Sequence, residues 1–582
     1  MRYIYVEILK KYAKLYPPLY QLLNCNDKER INELRAFSPE YETYLLRNEL
    51  LTCRMELSIR RASRHLGYKP FFSIITACYN PPIHFLKSAL ESVLVQPYPF
   101  YEICIADDGS NGNIRHFLRK FAERHNKQVK LKLLDRHGGI SFALNNAIKM
   151  ARGEFLVFLD HDDKISRFAL FEIARYLNEH PDADLIYSDE DKINLKGLRD
   201  IYFFKPQWSP DTFLSAMYIC HLLVVRKSLV ERLGGFISEY DGAQDYDLVL
   251  RVSEITQRIH RIPRVFYSWR EWRGSSSASP NAKPYAFIAA KKAISDYLKR
   301  QGESGFEVKD APNAWLGIYW IERRVQDNEK CSIIIHPGDN CYECSKRLAN
   351  SDLKYCHEIM LLTHKIPPNT LHPKVKVVSV PLDWGITKCL NYGASKAQSP
   401  YILFLSPNIE PISKDWLKHL MEHVIRKEIG ACSGKILYHD GTIQHAGIIL
   451  GIQGIRGYSH RCLPWDSPGY IGALSQIRNY SAVTINALMT KKGLFLSLGG
   501  FDERLEKYAD VDYCLRLIEL GKRVVYTPYS IMEINIDIEP LETLYVPEEA
   551  GIIRQKWGKY IENDPYYNPN LSRYLEDFRL RL

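Results

Sequence analysis

From Phe71 onward the chain alternates short apolar runs with longer amphipathic stretches. Phe71–Ala77 is continuous and β-rich, and a turn at Tyr79-Asn80-Pro81-Pro82 closes it. Ile83–Val95 places apolar residues at helical spacing, and Glu102–Ala106 is a second strand, closed by Asp107-Asp108-Gly109-Ser110. After another helix come strand Val129–Leu134, a Gly138-Gly139 turn, helix Ser141–Ala151 and the apolar run 154–159. Apolar strands between amphipathic helices predict an α/β fold with a Rossmann-like, mostly parallel sheet, whose ligands gather at the carboxyl ends of the strands. Ahead of this, residues 1–69 predict a helical extension. Tyr3, Tyr5, Ile8, Leu9, Tyr12, Leu15 and Tyr16 lie near helical spacing between lysines, until Pro17-Pro18.

The pattern then repeats. Cys331-Ser332-Ile333-Ile334-Ile335 answers Phe72–Ile75, and strand Tyr401–Leu405 answers the run ending at Leu159. Gly499-Gly500-Phe501 answers Gly234-Gly235-Phe236, and Asp510-Val511-Asp512 answers Asp245-Tyr246-Asp247 at the same offset. A repeat of this length is a duplicated domain rather than a solenoid. The expected organisation is a helical region at 1–69, a first domain at 70–300, a degenerate second domain at 325–540 and a tail at 541–582.

The two copies differ where chemistry would sit. Leu159 runs into Asp160-His161-Asp162-Asp163, whereas Leu405 runs into Ser406-Pro407-Asn408. Three crowded carboxylates at a strand end are costly unless a cation compensates them, and a hard divalent ion with oxygen ligands does so. One working site and one inherited shell follow.

With 582 residues, 46% hydrophobic and 25% charged, the chain has the composition of a multidomain globular protein. No apolar run approaches the ~20 residues of a membrane span. Charged residues interrupt the N-terminal segment where a signal peptide would need an apolar core. Thirteen scattered cysteines suit a reducing compartment, and Cys341/Cys344 near Cys331 and Cys356 make only a weak zinc pattern. A net charge of +10 fits an anionic partner. Without a basic run, zinc finger or RNA-binding signature, nucleic acid is not expected. The expected location is cytoplasmic, a peripheral place on the inner face of the membrane being compatible.

Phe72–Asn80, Ala106–Ser110, Leu159–Asp163 and Gly242-Ala243-Gln244-Asp245-Tyr246-Asp247 together resemble the motifs of family 2 glycosyltransferases. The resemblance covers roughly 70–295, and 330–535 more loosely. It implies two tandem GT-A domains and an inverting transfer from a nucleotide sugar, UDP- or dTDP-linked. The acceptor would be a glycan or lipid-linked oligosaccharide in bacterial surface polysaccharide synthesis.

On that footing Asp162 is expected to ligate Mn²⁺ or Mg²⁺, with Asp160 supporting the metal or the ribose and Asp163 behind them. The competing role for this turn is a helix cap, which explains one aspartate and not three. Asp107 and Asp108 would meet the base or ribose, with Asp108 the base contact, and Tyr79 and Asn80 would line the same pocket. Arg136, Gly139 and Asn145 would position the diphosphate or sugar, although Asn145 equally suits helix packing. Asp245 takes the place of the general base, and Asp247 reads as structural. Arg270 would meet the phosphates, since a guanidinium binds oxygens bidentately. Asp189 or Glu190 would reach donor hydroxyls if the Ser188–Asp191 run is not simply a solvated loop past strand Leu185–Tyr187. His221 and Trp208 are candidates on the acceptor side.

The second copy has neither the Tyr-Asn pair nor the Asp-Gly-Ser turn, and no metal-dependent donor binding is expected there. The competing account is a non-catalytic glycan-binding or scaffold protein. The complete acidic strand end in the first copy argues against it.

Overall fold

The computed structural model describes residues 30–272, 284–365, 371–538 and 545–581. The tyrosine-rich segment ending at Pro17-Pro18 lies outside them. The chain forms two compact units, one of residues 1–205 and 219–293, the other of residues 206–218 and 294–581.

Two capped helices precede the sheet of the first unit. Ser38 accepts from Tyr41 N at the head of α1 (Pro39–Asn48), and Thr52 accepts from Met55 N at the head of α2 (Cys53–His65). Then come β1 (Phe72–Cys78), α3 (Ile83–Leu94), β2 (Tyr101–Asp107), α4 (Gly112–Arg124), β3 (Val129–Leu133), α5 (Ile140–Met150) and β4 (Phe155–Phe158). The unit continues through β5 (Lys164–Ile165), α6 (Ala169–Glu179), β6 (Leu185–Ile193), β7 (Arg199–Phe203), β8 (Leu223–Arg226), α7 (Gln244–Ile255) and β9 (Ile259–Arg270).

The sheet order is β3-β2-β1-β4-β8-β6-β9-β5, with β7 beside β6. β1 to β4 pair in parallel, while β8 runs antiparallel to both β4 and β6. The central strands are buried almost throughout because helices cover both faces, so they show no alternation of buried and exposed positions. This order brings the ends of β1, β2 and β4 to one edge of the sheet.

β6 corrects one expectation. Ser188-Asp189-Glu190-Asp191 is not a solvated loop but the middle of the strand, and all four residues are buried. The carboxylates tolerate burial because each is paired. Asp189 accepts from Lys205 N at 2.8 Å, Glu190 meets Lys205 Nζ at 3.2 Å, and Asp191 meets Arg199 and Tyr41.

The second unit has a sheet of the same design. Its strands run Val375–Ser379, Cys356–Thr363, Cys331–Ile335, Tyr401–Leu405, Ala487–Lys491, Ile429–Tyr438, Arg523–Ile534 and Ile409–Pro411. Residues 547–581 belong to this unit rather than forming a separate tail: Trp557 Nε1 donates to Asp512 at 2.9 Å, and Leu450 N donates to Asp564 at 2.7 Å. Segment 206–218, expected in the first domain, also lies here. Asp211 holds it through Arg426 at 2.7 Å and Arg523 at 3.3 Å, and Asn479 donates to the same carboxylate.

The duplication extends to side-chain bonds. Asn145 clasps the backbone of Phe236 (2.8 and 2.9 Å), and Asn391 clasps Phe501 in the same way (3.0 and 2.8 Å). Gly235 and Gly500, at φ +79 and +73, are required there, since a Cβ would fall 2.3 and 2.4 Å from the asparagine oxygens. Arg251 binds Asp247 and the carbonyls of Leu233 and Gly235. Arg516 repeats this with Asp512, Leu498 and Gly500.

Buried neutral histidines distinguish the second unit. Burial pushes His336 down to about 4 and His445 to about 3, and holds His423 and His460 well below the usual imidazole value. Such groups take up protons on unfolding, so their stabilisation is complete above pH ~6.5 and is lost as the pH falls toward the folded values. Hydrogen exchange followed from pH 7 to pH 4 is expected to show the second unit losing protection first. Equal protection in both units at pH 4.5 would contradict this.

Candidate active site

Three strand ends build the site. Beyond β4, the Asp160–Asp163 turn is anchored from β9: Tyr267 Oη donates to Asp163 at 2.6 Å and Arg270 N donates to its other oxygen at 2.7 Å. Arg270 Nε donates to the Asp162 carbonyl at 2.8 Å, and Trp272 Nε1 donates to the Asp162 carboxylate at 2.6 Å. Asp163 is fully buried. Burial raises its pKa well above the usual range, and the charges of Asp162 and Asp160 push the same way.

Asp160 stands at the surface with its side chain 55% exposed, 3.7 Å from His221 Nε2. Glu190 lies 3.4 Å from the other ring nitrogen, and the imidazole stacks on Tyr267 at 4.4 Å. Burial alone would lower the His221 pKa, but Asp160 and Glu190 together raise it well above normal. Asp160, Asp163 and His221 each offer a ligand atom within 4.8 Å of the others, and no further group of three or more His, Cys, Asp or Glu does so among the described residues. The cysteines around Cys341 thus make no such cluster.

This donor set fits a divalent cation. Oxygen ligands suit Mg²⁺ or Mn²⁺, and the His221 imidazole could join them only after losing the proton that Asp160 and Glu190 favour. The mutual repulsion that raises Asp163 is what a cation would relieve. Asp163 itself accepts from Tyr267 and Arg270, and the Asp162 carboxylate, held by Trp272 Nε1, is not among the three gathered groups. Asp245 starts α7, where Tyr246 N holds its Oδ1 at 2.8 Å. Burial raises its pKa, the His221 charge opposes this, and Asp160 adds to it.

The ends of β1 and β2 make a second group. Tyr79 stacks on His137 with centroids 4.1 Å apart, leaving Tyr79 46% exposed. Asp108 accepts from Gly138 N at 2.8 Å and Gly139 N at 3.0 Å, and pairs with His137 Nδ1 at 2.7 Å. Asp107 accepts from Ser110 N and Arg115 Nε, while its Oδ1 is buried with no hydrogen-bond partner. Asn80, at φ +47, accepts from Asn111 N and Nδ2. Arg136 is exposed beside His137.

Three of the expected donor residues are spent on internal contacts. Asp189 is buried against Lys205 N, and Asn145 is committed to Phe236. Gly139 is glycine because a Cβ there would lie 2.4 Å from the Asp241 carboxylate, which caps α5 through Ser141 N. Sequence reasoning missed His137, Trp272 and Asp241, and placed Tyr267 only within the segment 267–270 that could reach the phosphates or the acceptor. The sequence marks Tyr267 and Trp272 only by nearness to Arg270, and for Asp241 only its place beside Gly242 was visible. Trp208 lies in the second unit, packed on Phe213 at 5.1 Å.

The corresponding edge of the second unit lacks this chemistry. Register against the neighbouring strands (Ile186 opposite Val224, Cys432 opposite Met489) puts Lys435-Ile436-Leu437 where β6 has Asp189-Glu190-Asp191. Asp510, the counterpart of Asp245, is bound by Arg456 at 3.0 Å and by Ile485 N at 3.2 Å.

A mostly parallel sheet of this order is a GT-A-like fold. Residues 73–234 match the family described as Glycosyl transferase family 2. The chain is similar to an O-antigen biosynthesis protein, RfbC, of Myxococcus xanthus, with 32% identity over 90% of this chain and 42% of that protein. It is similar to an uncharacterised protein, y4gI, of Sinorhizobium fredii, with 31% identity over 89% of this chain and 59% of that one. The chain therefore spans about half the length of these relatives. Among solved structures, S. aureus TarS 1-349 in complex with UDP-GlcNAc aligns at TM-score 0.32 and 22% identity, over 40% of this chain and 72% of that chain.

Proposed function

We propose that the protein transfers a glycosyl group from a nucleotide sugar to a glycan hydroxyl in polysaccharide synthesis, with inversion, at the strand ends of the first unit. The observation that carries this reading is the gathering of Asp160, Asp163 and His221, with Asp245 feeling the charge of both Asp160 and His221. The RfbC similarity supports the polysaccharide context.

Asp160 and Asp162, with His221 beside them, would hold Mn²⁺ or Mg²⁺. Such an ion supplies Lewis-acid neutralisation of a diphosphate leaving group. The residues of the chain do the rest. Tyr79 and His137 offer a ring face to a pyrimidine, UDP- or dTDP-linked, and the unpartnered Asp107 Oδ1 is an acceptor for a base or ribose donor. Arg270, its guanidinium 4.7 Å above the Phe85 ring, lies next to the turn where the phosphates would sit. Asp245 takes the proton from the acceptor hydroxyl as its oxygen bonds to the anomeric carbon and the bond to the diphosphate breaks on the opposite face. The raised pKa of Asp245 makes it a stronger base than a solvated carboxylate. Tyr267 and Arg270 N keep Asp163, and with it the turn, in place.

The acceptor proposed is a glycan or lipid-linked oligosaccharide, met at the inner face of the membrane. Among the described residues no helix is long and apolar enough to cross a membrane. The second unit, with Asp510 neutralised by Arg456, takes no part in donor chemistry.

The test is to incubate the purified chain with a panel of nucleotide sugars, an oligosaccharide acceptor and Mn²⁺. Release of nucleoside diphosphate from one donor is expected, stopping when EDTA is added. Turnover undiminished by EDTA, or none with any donor, would contradict the reading.

A further inference from the structure

A cavity of about 360 Å³ lies in the first unit, and none of the residues assigned to transfer lines it. That volume falls in the range of small-molecule pockets, roughly 300–1,000 Å³. Its wall includes Lys164 and Ser268, which face each other across the β5–β9 pair, and Glu49, Ser88 and Ser92 from the helices opposite. Successive strand residues point to opposite faces. Lys164 and Ser268 line the cavity, whereas the hydroxyl of Tyr267 reaches Asp163 in the acidic turn.

Most charges around the cavity are already paired. Arg167 holds Glu33 bidentately at 2.8 and 2.9 Å. Arg30 donates to Leu51 O and to Glu56, both at 2.6 Å, and Arg199 is held by Asp191 and Glu49. Two groups stand apart. The Lys164 ammonium has no hydrogen-bond or close ion-pair partner among the described residues, and Glu33, whose charge it feels, is taken by Arg167. The Glu49 carboxyl is buried with its Oε1 lacking any partner, and burial pushes the group up to about 7 against the opposing charge of Arg199. An unpartnered ammonium on one wall and an unmet acceptor on another call for a ligand with both an anionic end and a hydroxyl.

We propose that this cavity binds a small polyhydroxylated anion, a sugar phosphate or a sugar acid, with its charged group on Lys164 and a hydroxyl donating to Glu49. The shared chemistry is the anion on a polyol, and phosphate and carboxylate probes distinguish the two sources.

The experiment uses the full chain carrying Asp162→Ala, in EDTA, so that binding at the acidic turn does not contribute. Glucose 1-phosphate, glucuronate and inorganic phosphate are titrated by calorimetry. One of the two sugar anions is expected to bind saturably at one per chain. Its affinity should fall at least tenfold in Lys164→Met, and also in Ser88→Phe, which fills the cavity without touching a charge. Three results would overturn the proposal: no saturable binding, binding unchanged in both variants, or inorganic phosphate binding as tightly as the sugar anion.

Discussion

Asp245→Asn is expected to lower glycosyl transfer by about a thousandfold or more while leaving nucleotide-sugar binding within a few fold. A positioned general base contributes roughly 10²–10⁴ in rate. The amide keeps the shape of the carboxyl and can still accept from Tyr246 N, as Asp245 Oδ1 does. What it cannot do is accept the acceptor's proton. The burial that raises the Asp245 pKa adds a second signature: with wild-type protein the rate should fall as the pH drops through that raised value. Transfer of radiolabelled sugar at saturating donor, alongside donor affinity by calorimetry, separates the two quantities. Asp510→Asn is the control from the second copy. Because Asp510 is tied to Arg456 and Ile485 N, its loss should lower the thermal stability of the protein and leave transfer intact. Equal loss of transfer in both variants would place chemistry in the second unit and contradict the account.

Asp162→Ala is expected to abolish Mn²⁺-dependent donor binding and to lower transfer by ~1,000-fold or more, since a Lewis-acid metal supplies several kcal/mol and each 1.36 kcal/mol is a factor of ten. The effect should differ from that of Asp163→Ala. Asp163 is buried under Tyr267 and Arg270 N, so its removal leaves two donors unsatisfied and should cost stability as well as activity. Thermal unfolding distinguishes them: Asp162→Ala should melt near the wild-type temperature and Asp163→Ala several degrees lower.

The sheet and its duplication were legible because their signals are local and repeated: apolar runs, turn residues at strand ends, and Gly-Gly-Phe with Asp-x-Asp at one spacing. The Asp-x-Asp signal turned out to be mixed. Asp247 and Arg251 persist in both copies because they tie the backbone of Leu233 and Gly235, whereas Asp245 and Asp510 have opposite fates. Buried charge was what the sequence concealed. Sequence leaves Asp189 and Glu190 between a solvated run and a donor contact because the partners of this run, Lys205, Arg199 and Tyr41, are distant in sequence or hidden in another element. The same blindness points Gly139 toward a ligand and leaves Asn145 between a ligand and helix packing, where an internal carboxylate and a backbone clasp require them. His221 was visible only as a candidate, since nothing in sequence spacing shows that β8 brings it to Asp160.

The account stands on one cation site, in the first unit. The most direct measurement is manganese anomalous scattering from crystals grown with Mn²⁺ and a nucleoside diphosphate. It should give a single peak among Asp160, Asp162 and His221, and none at Ser406-Pro407-Asn408. A vacant acidic turn, or a peak at the second strand end, would contradict it.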